Sequence, residues 1–398
     1  MPKISVKGEA LPDSPIRKLS PYADAAKAKG INVYHLNIGQ PDIKAPEQAL
    51  EVVRNNRLDL LPYGSSEGSL DYRKALAGYY AKHNIDLQPE QIIVTTGASE
   101  ALAFTLNSIC DAGDEIIIPE PFYANYNGFA AAASVQVVPV VSLFDDQFKL
   151  PQLSSIAEKI TQKTRAILLC NPSNPTGYLY TKEEITALGA LALEHDLYLI
   201  VDEVYREFIH VPEMEHFSVL ELPEMQEHAI MIDSVSKRYS MCGARVGAMV
   251  TRNKDVLATA LKFAHLRLSP ATYALMASEA ALGAPDSYLE SVVKEYTARK
   301  NTLVNALEKI DGVRVSNPTG AFYCMVELPV NDAEDFAKWL LTDFQDNNET
   351  VMFAPAAGFY STPGYGKKEV RIGFVLNEQK LKRAAEILEI ALKAYPNS

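Results

Sequence analysis

Short apolar runs alternate with helical patterns through the middle of the chain. Residues 91–96 (QIIVTT) are bulky and β-branched and are followed by Gly97, which predicts a strand ending in a turn. Residues 99–110 are mostly apolar at helical spacing, as in a helix packed on a sheet. A polar turn at 111–114 leads into EIIIP (115–119), a second strand. RAILLC (165–170) predicts a third strand, and an Asn- and Pro-rich loop follows it. Thr181 and Glu184 have capping-box spacing and start a helix running to about His195. LYLIV (197–201) is the next strand and ends at Asp202, and 229–233 and 246–251 predict two more. Nearly continuous apolar strands separated by helices imply a mostly parallel sheet covered on both faces.

The pattern changes towards the C-terminus. Residues 288–310 read as a long helix, 320–328 as a strand, 332–344 as a helix and 370–375 as a strand. Leu381, Ala384, Ala385, Leu388, Ala391 and Leu392 form an apolar stripe at helical spacing. The fold class expected is α/β: a large unit (46–285) with a mostly parallel sheet flanked by helices, and a smaller α+β unit (1–45 and 286–398). Gly283-Ala284-Pro285 punctuates the boundary. The segment before Pro46 has no place in the sheet order and is expected to pack with the C-terminal unit.

Composition removes several function classes. The chain has 398 residues, 47% of them hydrophobic and 22% charged, with a net charge of −12. The apolar fraction is that of a globular protein. An acidic balance argues against a nucleic-acid binder, since that affinity comes mainly from Lys and Arg on phosphates. The most apolar stretch, 128–144, is broken by Ser134, Gln136, Pro139 and Ser142, so no membrane span is expected. The first residues lack the apolar core of a signal peptide. Cys110, Cys170, Cys242 and Cys324 are far apart without C-x-x-C spacing. That suits free thiols in a reducing cytoplasm rather than disulfides or a metal site.

In parallel sheets ligands bind beyond the carboxyl ends of the strands, so chemistry is sought there. Gly97-Ala98-Ser99 opens a helix: it is a strand-to-helix turn, or a phosphate cradle built from free amides. Phe122 and Tyr123 fill core or stack on a flat ring. Asn171 to Gly177 (NPSNPTG) is a tight turn or a display of amide side chains. Asp202 caps a helix or faces a cation such as a protonated ring nitrogen. Lys237 is a solvated surface charge or, lying just beyond a buried strand near Ser234 and Ser236, an amine placed to attack a carbonyl. Arg245 offers a charged contact to a phosphate. Together these groups are what holding pyridoxal phosphate requires.

The chain resembles the class I/II aminotransferases of fold type I. The motifs that carry the resemblance are LNIGQPD (36–42), YGSSEG (63–68), VTTGASEAL (94–102), PEPFY (119–123), NPSNPTG (171–177), DEVY (202–205), SVSKRYSMCGARVG (234–247) and VRIGF (370–374). They run in the family's order over nearly the whole chain. Within the family the chain is most similar to bacterial aspartate aminotransferases.

The resemblance implies these roles. Lys237 binds the cofactor aldehyde covalently and then carries the proton. Asp202 pairs with the ring nitrogen. Asn174 and Tyr205 hydrogen-bond the ring oxygen, and Tyr123 stacks on the ring. The amides of Ala98 and Ser99, with Ser234, Ser236 and Arg245, hold the phosphate. Tyr63 reaches the phosphate of a neighbouring subunit, which implies a homodimer with shared sites. Arg371 binds the substrate α-carboxylate, helped by the Gly39 amide. The activity implied is transfer of an amino group between an amino acid, aspartate foremost, and 2-oxoglutarate.

Two positions depart from the family's pattern. No residue clearly matches the partner-subunit arginine that one subgroup uses for the substrate side chain; Arg267 lies roughly in that region. Glu100 places an anion where relatives often carry Lys or Gln, which disfavours a dicarboxylic substrate if it faces the site. Aromatic or small neutral amino acids, or β-C–S elimination on the same fold, remain alternatives. A ligand-sensing regulator is disfavoured by the presence of Lys237, Asp202 and Arg371 and the lack of a basic DNA-binding domain. A nicotinamide dehydrogenase would need G-x-G-x-x-G after its first strand, which the strands found here lack.

Overall fold

A computed structural model describes residues 2–12 and 14–396. Met1, Asp13, Asn397 and Ser398, all in the expected smaller unit, lie outside the described residues. The centre is a seven-stranded sheet in the order Ile92–Thr95, Gly247–Thr251, Ala229–Ser234, Tyr198–Asp202, Thr164–Cys170, Glu115–Glu120, Gln136–Val141. All pairs are parallel except those made by Gly247–Thr251, which runs antiparallel to both neighbours.

Both faces of this sheet are buried, with the period-2 alternation of a strand. Ile116, Ile118, Leu168, Ile200, Ile230 and Met249 face one core. Helices Ala98–Ile109 and Lys254–Arg267 cover it through Leu102, Leu106, Val256 and Ala260. Ile117, Ile167, Leu169, Leu199, Val201 and Met231 face the other core. Helices Leu70–Ala81 and Lys182–Glu194 cover that side through Tyr72, Leu76, Ile185 and Leu188. The same alternation turns Cys170 and Asp202 to the first face, where the site lies. Thr181 and Glu184 form the capping box read from their spacing.

The strand Gln136–Val141 is an addition to the sequence reading, which found no strand in 128–144. It is the edge strand, paired only with Glu115–Glu120. An edge strand needs no ladder donor on its outer side, so it tolerates Pro139 and the polar Gln136 that blurred its pattern.

Beyond the large sheet, Ala354–Pro355, Glu369–Gly373, Tyr323–Glu327 and Arg314–Val315 form an antiparallel sheet. Asn32–His35 pairs in parallel with Glu349–Met352. The start of the chain also touches the large sheet's helices: Lys7 Nζ donates to the Ala132 carbonyl at 3.1 Å. Helix Asp286–Leu307 follows Thr272–Leu282 after a break at Gly283 to Pro285. The four cysteines are unpaired. No described helix is long and apolar enough to cross a membrane.

Candidate active site

The strand ends open into one cavity of about 740 Å³. Lys237, Asp202, Tyr205, Ala98, Ser99, Tyr123, Asn174, Ser234, Ser236, Arg245, Gly39 and Arg371 all line it. Tyr63 does not; it stands on the surface, 80% exposed.

Lys237 is carried by the one-turn helix Val235–Arg238, directly after the strand Ala229–Ser234. The next residue, Arg238, is fully buried and anchors that turn. Its guanidinium donates to both carboxylate oxygens of Asp233, at 2.8 and 2.6 Å, and to Glu207 at 2.6 Å. Tyr80 Oη also donates to Asp233, at 2.7 Å. A buried, geometrically fixed ion pair of this kind holds a backbone turn in one place. Lys237 Nζ reaches the other way and donates to the Gly39 carbonyl at 2.9 Å. Gly39 must be glycine here, because a Cβ would lie 1.6 Å from Tyr323 Oη. The Tyr323 and Tyr205 hydroxyls are 3.0 Å apart.

Asp202 is almost fully buried and accepts a hydrogen bond from Tyr126 Oη at 2.8 Å. Burial pushes its carboxyl up to about 6, and the Tyr126 hydroxyl partly opposes that rise. A cation beside Asp202 would favour its ionised form, so the site suits a protonated ring nitrogen. The sign for stability follows from the same shift. A carboxyl whose folded pKa exceeds its unfolded value opposes folding when ionised, and the opposition fades as pH falls from about 6 towards 4. Asp202→Asn is therefore expected to stabilise the cofactor-free protein at pH 8 by about 3 kcal/mol. Urea unfolding checks this, and the gain over wild type should shrink to near zero at pH 4.

The phosphate end has different materials. Gly97 adopts φ +75° and caps helix Ala98–Ile109 with no side-chain hydrogen bond, so the first-turn amides point outward. A Cβ at Gly97 would lie 2.4 Å from Arg245 Nη2, so glycine lets the guanidinium close over the turn. Arg245 donates to the Cys242 carbonyl at 3.0 Å. Ser234 Oγ and Ser236 Oγ are 2.7 Å apart. Free amides, two hydroxyls and an arginine at a helix N-terminus form an anion cradle. Tyr123 presents its ring to the cavity, edge-on to Tyr126 at 5.4 Å.

At the opposite wall Arg371 is 1% exposed. It donates to Asn174 Oδ1 at 2.9 Å and to the Asn37 carbonyl, and its ring neighbours are Tyr323 (4.4 Å) and Phe359 (4.9 Å). Its Nε is buried without a partner. A buried guanidinium at a cavity wall with no carboxylate partner among the described residues suits an anion. These observations fit pyridoxal phosphate on the sheet side and an α-carboxylate on the Arg371 side.

Neither Arg267 nor Glu100 lines this chain's own cavity. Arg267 Nη2 donates to the carbonyls of Ser66 (2.8 Å) and Val94 (3.1 Å), and Nη1 lies 3.7 Å from Glu100. Glu100 accepts the Thr96 amide at 2.7 Å. Its carboxylate is thus held at the start of its helix, away from the cavity lining, and the objection to a dicarboxylic substrate lapses. Tyr126 and Tyr323 are additions: both line the cavity and bond to expected site residues. The available signal was that a buried tyrosine hydroxyl needs a polar partner, but which partner it finds is not written locally.

The fold and the site together define a vitamin B6 enzyme. A family model for class I and II aminotransferases matches residues 31–388, and the chain belongs to that family. It is a pyridoxal phosphate-dependent aminotransferase. It is 31% identical to an aspartate aminotransferase of Bacillus subtilis (strain 168), over 96% of this chain and 97% of the relative. The structure of an aspartate aminotransferase from Thermus thermophilus with maleate matches with a TM-score of 0.89 and 28% identity, covering 98% of this chain and all of the other. An alanine aminotransferase from Pyrococcus furiosus matches with a TM-score of 0.89, 29% identity and 99% coverage of this chain.

Proposed function

We propose that the enzyme moves an amino group between aspartate and 2-oxoglutarate in two half-reactions. The observation that carries this reading is Arg371: a fully buried guanidinium with no carboxylate partner among the described residues, lining the same cavity as Lys237. The named relatives support aspartate as the donor.

Bound pyridoxal phosphate supplies an aldehyde to accept the amino group and a ring that stores an electron pair. Lys237 Nζ would hold the cofactor through its aldehyde and would move a proton at the substrate Cα. Asp202 keeps the ring nitrogen protonated. Asn174 and Tyr205 donate to the ring oxygen, Tyr123 lies against the ring face, and the amides of Ala98 and Ser99 with Ser234, Ser236 and Arg245 hold the phosphate. Arg371 fixes the α-carboxylate and Gly39 contributes its backbone.

The reading includes a homodimer in which Tyr63 reaches the neighbouring phosphate. The exposure of Tyr63 together with Leu58, Leu60 and Leu61 supports a covering partner. It also includes a division into 46–285 and 1–45 with 286–398, supported by the pairing of Asn32–His35 with Glu349–Met352. Four unpaired cysteines support a cytoplasmic location.

Visible absorbance of the loaded protein tests the reaction. Single additions of aspartate or glutamate are expected to bleach the yellow cofactor band to the pyridoxamine form. Bleaching only by aromatic or neutral amino acids would move the donor class, and no yellow band after adding pyridoxal phosphate would overturn the assignment of Lys237.

A further inference from the structure

The cavity holds one cation that the reaction outlined above does not use. Four basic side chains line it: Lys237, Arg245, Arg371 and Arg17. The first three have work on the cofactor or the α-carboxylate. Arg17 lies in the turn before helix Ser20–Ala28, far in sequence from the rest.

Its backbone is fixed on several sides. The amides of Arg17 and Lys18 both donate to the Ser14 carbonyl, at 3.1 and 3.0 Å. The Ile16 carbonyl accepts Asn37 Nδ2 at 3.0 Å, and the Asn37 carbonyl in turn accepts Arg371. Lys18 pairs with Glu334. Pro15 is buried against Gly358, where an added Cβ would lie 2.4 Å from it. The Arg17 side chain, by contrast, is exposed and has no hydrogen-bond or ion-pair partner among the described residues. Its charge acts on the Tyr123 phenol, drawing it down against the upward push of burial. The held backbone keeps the root of the side chain at the cavity wall, and its guanidinium, with no partner to give up, is free to meet an anion.

We propose that Arg17 recognises the side-chain carboxylate of a dicarboxylic amino acid whose α-carboxylate is held by Arg371. This rests on the aspartate reading above. Asp202 is the only acidic residue lining the cavity among the described residues, and it faces the ring-nitrogen end. Arg267, the alternative from sequence, does not line this chain's own cavity.

The test compares wild type, Arg17→Gln and Arg17→Lys. Arg17 is exposed, so all three should fold. The ratio of kcat/KM for aspartate to that for alanine is expected to fall about 10- to 100-fold in Arg17→Gln, with Arg17→Lys between. Binding of succinate, a dicarboxylate without an amino group, should weaken by a similar factor when measured by calorimetry on the loaded enzyme. An unchanged ratio and unchanged succinate affinity in Arg17→Gln would overturn the proposal while leaving aspartate as the substrate. A wild type that prefers alanine to aspartate and does not bind succinate would overturn both.

Discussion

Lys237→Ala is expected to lower transamination by roughly 10⁴-fold or more, since it removes both a covalent anchor and a proton carrier. The fold should survive. Lys237 contributes a side chain to a cavity, and among the described residues its side chain makes one hydrogen bond, to the Gly39 carbonyl. The turn that carries it is held by Arg238, Asp233 and Glu207 instead. The melting temperature should therefore stay close to wild type while turnover disappears. Borohydride reduction separates this outcome from simple loss of cofactor affinity. Wild type should retain covalently attached pyridoxyl groups after denaturation and Lys237→Ala none. Turnover at the wild-type rate would overturn the assignment.

The second large effect is expected at Arg371. Removing one partner of a buried, desolvated ion pair costs about 3–5 kcal/mol. Arg371→Ala should accordingly lower kcat/KM by roughly 150- to 5,000-fold. The loss should fall on the amino donor and the keto acceptor alike, because both present the same carboxylate. Arg371 also ties Asn174 and the Asn37 carbonyl together, so a fraction of the loss will come from Asn174. Arg371→Lys keeps the charge but not the fork, and should recover little. Initial-rate kinetics with both substrates check this. Unchanged KM and kcat for either one would remove Arg371 from carboxylate binding.

Much of the candidate site was legible because chemistry in a parallel sheet gathers at strand ends. Tyr123, Asn174, Asp202, Ser234, Ser236 and Lys237 follow strands whose apolar runs were evident. Their functional meaning came from the ordered motifs, since each residue alone favoured a plainer reading as a turn, a cap, a core position or a surface charge. Arg371 needed the same help: in isolation it is a strand residue, and only the structure shows its guanidinium buried with an unmatched donor. Glu100 shows the reverse. Its charge looked obstructive on paper, but its carboxylate accepts the Thr96 amide and stays at the helix start. The edge strand Gln136–Val141 escaped notice because an edge relaxes the rules that make inner strands recognisable.

What the sequence determined by itself is the alternation of strand and helix, the burial of both faces of the sheet, the capping box at Thr181 and Glu184 and the set of reactive groups at the sheet's rim. These are local matters of side-chain period, turn chemistry and capping, and a short window of residues carries them. Only the tertiary structure decided which distant groups meet: Lys237 with the Gly39 carbonyl, Asn174 with Arg371, Tyr126 with Asp202, and Arg17 with the cavity that all of them share. The physical reason is that hydrophobic periodicity states which face is buried but not against what. The partner is set by strand order and register across the whole chain.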